Sequence, residues 1–74
     1  MAATIRLVGQ LKTYVNGRDE VNVRAGLTVR EALAELGIPP EVVALVVVNE
    51  EQQTKEYVLR EGDVVRVLAV IGGG

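Results

Sequence analysis

At 74 residues the chain has room for one domain. A domain of that size buries only about 60% of the surface its unfolded chain exposes, so its core must be dense, and 49% hydrophobic residues supply that density. Neither Cys nor His occurs, which excludes thiolate nucleophiles, imidazole bases, disulfides and the usual zinc ligands, and a net charge of −2 argues against a nucleic-acid partner.

The same numbers weigh against an enzyme. Sites that host small-molecule chemistry enclose roughly 300–1,000 Å³, a volume that so small a core can hardly spare. The opening residues do not read as a leader, and no apolar run reaches the ~20 residues of a membrane span. The expectation is a chain without a membrane partner, and the missing cysteines favour a reducing, cytoplasmic setting.

In chain order, Ile5 and Leu7 alternate with polar neighbours and predict a first strand. Gly9 marks an irregularity after it. The stretch VNGR (15–18) contains Asn16-Gly17, a hairpin signal because both residues tolerate positive φ. Val21 and Val23 then alternate with Asn22 and Arg24, giving a second strand antiparallel to the first.

TVRE (28–31) reads as a capping box, and Val29, Ala32, Leu33 and Leu36 follow on one helical face. Gly37 supplies the left-handed C-terminal cap and Pro39-Pro40 forbid continuation, so the helix is expected over 29–36. VVALVVV predicts a buried strand over 43–48, and Asn49-Glu50 turns the chain. Residues 57–59 read as a short strand or an irregular connection. REGD (60–63) is a polar turn around Gly62, and the last strand is expected over 64–71. The sum is a two-layer α+β domain with one helix across a mixed sheet of four to five strands. Its first and last strands are candidates for a parallel pair at the centre.

Candidate chemistry is sparse. Asp19-Glu20, Glu50-Glu51 and Glu61/Asp63 sit at turns, where solvated charge is the default, and their spacing defines no metal site. Tyr57 reads as a half-buried strand residue. In the last strand, if Val65 and Val67 face the core, then Arg66, Leu68 and Val70 face outward and seed a docking patch, unless both faces are covered.

Three glycines follow: Gly72, Gly73 and Gly74. At ~7% usage, such a run at one defined place arises by chance in roughly 3 of 10,000 chains. Glycines lose the most backbone freedom on ordering and pack no side chain, so they do not serve the fold. Either they are an inert end, or the bare backbone and its carboxylate are the working part. Extended, three residues span roughly 10 Å and enter a channel too narrow for any other residue. A carboxylate is a poor electrophile, so the second alternative requires ATP-dependent adenylation by a partner.

Taken together, the strand–NG–strand start, the TVREALAELG helix, VVVNE, LREGDVVRVLAVI and the diglycine end resemble the MoaD/ThiS sulfur-carrier proteins. The resemblance covers essentially the whole chain and is most specific at its EGD–strand–GG ending. It implies the ubiquitin-like β-grasp fold, with a body over 1–71 and a flexible glycine tail over 72–74. It further implies that an E1-like enzyme, using ATP, adenylates Gly74, and that a sulfur donor converts it to a thiocarboxylate. The sulfur then passes to a downstream cofactor-synthesis enzyme of molybdopterin or thiamin-thiazole type. Related carriers serve tungsten-cofactor, tRNA-thiolation and cysteine pathways. Carried over, Gly73 and Gly74 are the family's glycine pair and Gly72 is an additional glycine. Val70, Ile71, Gly72 and Gly73 join Leu68 and Arg66 as the partner-binding residues. On this reading the chain binds no cofactor or metal and is acted on rather than acting. Two alternatives stand beside it: a modifier conjugated to lysines through Gly74, and a β-grasp binding module with no chemistry of its own.

Overall fold

Alternation builds the first strand, β1 (Ala2–Leu7), with Ala3, Ile5 and Leu7 buried and Arg6 exposed. The computed structural model describes residues 2–69. Strand β2 (Glu20–Arg24) pairs antiparallel with β1 and buries Val21 and Val23.

Their connection departs from the tight hairpin that Asn16-Gly17 suggests. Gly9, at φ +59°, opens a 3-10 helix (Gly9–Val15) that carries Leu11 and Val15 into the core. Asn16 (φ 60°) and Gly17 (φ 80°) close that helix instead of capping a two-residue loop. Leu11 and Val15 are the physical reason. A two-residue loop has no place for these apolar side chains, whereas one helical excursion buries both.

Helix α1 (Val29–Glu35) starts as its sequence dictates. The Glu31 N–H donates to Thr28 Oγ1 at 3.0 Å, and the Thr28 N–H donates to Glu31 Oε1 at 2.9 Å. Two further N–H groups of the first turn find carbonyls outside the helix: Val29 N donates to Tyr57 O and Arg30 N to Lys55 O, each at 2.9 Å. At the other end, Gly37 (φ 80°) donates to Ala34 O at 3.0 Å and Ile38 to Leu33 O at 2.9 Å, a Schellman closure that drives Ile38 into the core. Replacing Thr28 with Ala removes one half of the capping box. We expect a loss of about 1 kcal/mol, read as a fall in Tm of roughly 4–8 °C in thermal unfolding.

Strand β3 (Val43–Val48) has its predicted bounds, with a register shift between Val43 and Leu45. The shift lets Val43 and Val46, three residues apart, both reach the core. Asn49 and Glu50 turn the chain in the left-handed region, at φ 49° and 73°. Strand β4 (Glu51–Gln53) then pairs back on β3, and β5 (Val64–Ala69) closes the set. Residues 57–59 form an irregular connection touching the sheet pattern only through an isolated bridge between Thr28 and Val58.

The sheet order is β2-β1-β5-β3-β4, with β1 and β5 parallel at its centre and the other pairs antiparallel. One face of this mixed sheet is covered by α1 through Val29, Ala32 and Leu33. The other face carries exposed and half-buried side chains. No helix among the described residues is long and apolar enough to cross a membrane.

Candidate functional site

Strand β5 leads from a buried anchor to the glycine end, and the anchor is Asp63. Its carboxylate is only 6% exposed. Oδ2 accepts from the Tyr57 hydroxyl and from the Arg60 backbone N–H, and Oδ1 accepts from Asn49 Nδ2, all at 2.9 Å. Asn49 in turn accepts from the Val64 N–H at 3.0 Å through Oδ1, and its own N–H donates to Val64 O at 2.9 Å. One carboxylate therefore ties the β3–β4 turn, the irregular 57–60 segment and the first residue of β5.

Burial raises the Asp63 pKa, but the hydrogen bonds from Arg60, Tyr57 and Asn49 outweigh it and hold the carboxyl below the usual range. The same contact with Asp63 pushes the Tyr57 phenol up. The expectation of solvated turn charge is therefore corrected for Asp63. It is buried because three donors from separate segments converge on it, a convergence that local sequence does not reveal.

Beyond the anchor, β5 alternates cleanly. Val65 and Val67 are fully buried, while Val64, Arg66 and Leu68 are exposed, Leu68 at 36%. The outward placement of Arg66 and Leu68 matches the sequence reading, and the alternative of two covered faces does not hold. Across the sheet, the register sets Glu20, Arg6, Arg66, Val47 and Gln52 in one transverse row. Leu68 pairs with Leu45 one step closer to the glycine end.

Arg6 and Arg66 thus stand directly opposite each other on neighbouring strands, an arrangement that repels. Among the described residues neither takes part in an ion pair, although Lys12, Arg24 and Arg30 each have a carboxylate. Both arginines line a surface cleft of about 910 Å³ that also includes Lys12, Asp19, Asn49 and Glu50. Lys12 hydrogen-bonds Asp19 and holds its carboxyl below the usual range, with Arg6 adding to the effect.

The profile of the ThiS family matches residues 5–74, which is nearly the whole chain including its glycines. The chain belongs to the ThiS family. A relative from Thermus thermophilus, named sulfur carrier protein TtuB, is 46% identical over 57 residues, covering 77% of this chain and 86% of that protein. The fold matches the crystal structure of SAMP1 from Haloferax volcanii with a TM-score of 0.69 at 24% identity, over the full length of both chains. It also matches a putative molybdopterin converting factor subunit 1 from Pyrococcus furiosus, with a TM-score of 0.72 at 18% identity, over 96% of this chain and 99% of that one. This ThiS-family chain thus has the ubiquitin-like β-grasp fold of the MoaD-type carriers.

Within the ThiS-family frame, the expected site residues divide in two. Arg66 and Leu68 lie on the open face of β5, while Val70, Ile71, Gly72, Gly73 and Gly74 lie outside the described residues, as does the proposed boundary at 71/72. Arg6 is the residue that sequence reasoning missed. Its outward direction follows from the Ile5/Leu7 alternation, but its place beside Arg66 depends on the parallel β1·β5 register. No local signal specifies that register.

Proposed function

We propose that this ThiS-family chain is a cytoplasmic sulfur carrier, a protein co-substrate rather than a catalyst, whose working group is the Gly74 carboxylate. An E1-like partner joins that carboxylate to the α-phosphate of ATP with release of pyrophosphate. A donor's sulfur at the hydrosulfide level then adds to the acyl carbon, the bond from that carbon to the adenylate oxygen breaks and AMP departs, leaving a thiocarboxylate. The loaded carrier passes its sulfur to a cofactor-synthesis enzyme of molybdopterin or thiamin-thiazole type. ATP is bound by the partner, and the carrier itself holds no cofactor.

The observation that carries this reading is a family match that runs through Gly74 and ends in glycines alone. The name of the Thermus thermophilus relative, a sulfur carrier protein, supports it. The test is incubation with an active E1-like partner, ATP and a sulfur donor, followed by intact mass. Replacement of one oxygen by sulfur at Gly74 is expected, and an unchanged mass overturns the reading.

The open face supplies the handle. Two arginines side by side, without an ion pair among the described residues, and with Leu68, Leu45, Val47 and Val64 around them, suit a partner surface that is acidic at its centre and apolar towards the glycine end. Charge reversal by R66E is expected to slow association with the activating partner by about ten-fold and to flatten its salt dependence. Stability should not fall, since the substitution lies on an exposed face and replaces the like-charge pair with Arg6 by an opposite-charge one. Association kinetics at two ionic strengths, together with thermal unfolding, check both statements.

A further inference from the structure

An activated Gly74 is an acyl electrophile, and the commonest nucleophile it meets on a protein surface is a lysine amine. Lys12 and Lys55 are the lysines of this chain, and every other basic side chain is an arginine. A guanidinium stays protonated and does not attack an acyl carbon. Both lysine heads are engaged. Lys12 Nζ lies 2.8 Å from Asp19 Oδ1, and Lys55 Nζ donates to the Pro40 carbonyl at 2.6 Å.

The position of Lys55 makes its engagement consequential. Pro40 precedes Val43 by three residues, and Val43 is the register partner of Ala69. From Ala69, the five residues to Gly74 span at most roughly 17 Å when extended. The amine tied to Pro40 is therefore on the side of the fold from which the reactive end departs, where a tether raises the effective concentration of one group at another. Attack requires Lys55 to leave the carbonyl and shed a proton, because an ammonium donating a hydrogen bond has no lone pair to offer.

We propose that the paucity of lysines and the tying of both heads protect the activated end from capture by the carrier's own lysine side chains, in the same copy or a second one. The proposal rests on the carrier reading. The side reaction it blocks is aminolysis: the lysine nitrogen bonds to the Gly74 carbonyl carbon, the bond from that carbon to the adenylate oxygen breaks, AMP leaves, and the nitrogen gives its proton to water. Each such event yields a ring or a dimer and removes a carrier from use.

The test needs no activating enzyme, so its failure is separate from failure of the carrier reading. The full chain is prepared as a small-thiol thioester at Gly74 and held at neutral pH, with and without an excess of a free primary amine. Products are resolved by intact mass and peptide mapping. The expected result is hydrolysis alone, or capture by the added amine, with Lys12 and Lys55 unmodified; a bond to the α-amine of Met1 with both lysines intact is equally in accord.

The companion variant is E41K. Glu41 is exposed and shares with Ala69 and Tyr14 a hollow of about 310 Å³, so this substitution sets a third lysine in the same hollow as Ala69, the last described residue. It is expected to form the internal amide, read as loss of one water from the acid form, at least about ten-fold faster than the parent. Lysine-linked product from the parent at a rate matching E41K overturns the proposal. So does an E41K thioester that reacts with the added amine yet forms no more internal amide than the parent.

Discussion

Removing Gly73 and Gly74 is expected to abolish sulfur loading and to leave the fold intact. The two effects separate because these residues have no side chains with which to stabilise a core, and chain ends contribute little to stability. The measurement is paired: intact mass after incubation with the E1-like partner, ATP and sulfur donor, and Tm of the same preparation. Loss of loading with an unchanged Tm is the expected outcome. Normal loading of the shortened chain removes Gly74 as the acceptor of the acyl chemistry. A less severe change distinguishes geometry from presence. With G73A the carboxylate remains, but on the proposed reading a methyl group would meet the walls of a partner channel shaped for bare backbone. Misplacing a reacting group by about 1 Å costs on the order of 100-fold in rate. The loss should appear in adenylation, measured as ATP-dependent pyrophosphate release, while binding through the open sheet face persists.

Elements whose signals are local were legible from the residues. The capping box at Thr28 and Glu31 places the start of α1, and Gly37 with Ile38 places its end within one residue of expectation. The β-branched run of β3 gives its bounds, and the alternation of β5 gives its two faces. What escaped depends on partners outside the element itself. Strand β4 is Glu51-Gln52-Gln53, polar throughout, and it is a strand only because Val46, Val47 and Val48 of β3 offer it backbone groups. Leu59 lies in no regular element, yet it is buried, and its N–H donates to Leu27 O at 2.8 Å. The Asn16-Gly17 turn is real, but the 3-10 helix before it obeys the burial of Leu11 and Val15 rather than strand pairing. The Arg6–Arg66 pair follows the same rule as β4. Each arginine's outward direction was readable, and their adjacency was not.

D63A should destabilise the body by about 3–5 kcal/mol, because it removes a buried carboxylate that accepts three hydrogen bonds. Truncation leaves the Tyr57 hydroxyl, Asn49 Nδ2 and the Arg60 N–H facing an apolar methyl, each having lost a bond of 2.9 Å. For a domain of this size that corresponds to a fall in Tm of roughly 12–40 °C. D63N keeps one acceptor oxygen for the Tyr57 hydroxyl and the Arg60 N–H but sets its NH2 group against Asn49 Nδ2, so it relieves only part of the loss. The wild type also carries a pH signature. Because the folded pKa of Asp63 lies below its unfolded value, its contribution is present above about pH 4 and is lost as the pH falls through the folded pKa. Denaturant unfolding between neutral pH and pH 2 should therefore show a component of acid destabilisation that D63N lacks. Equal acid slopes in the two proteins would mean that the carboxylate does not hold the start of β5 as the three hydrogen bonds require. The consequence for function follows from the topology: Asp63 fixes the first residue of β5, the strand that carries Arg66 and Leu68 on the open sheet face and precedes the glycines in sequence. A body that loosens there presents the reactive end from an unfixed base, so sulfur loading by D63A should fall even at temperatures where most of the protein remains folded.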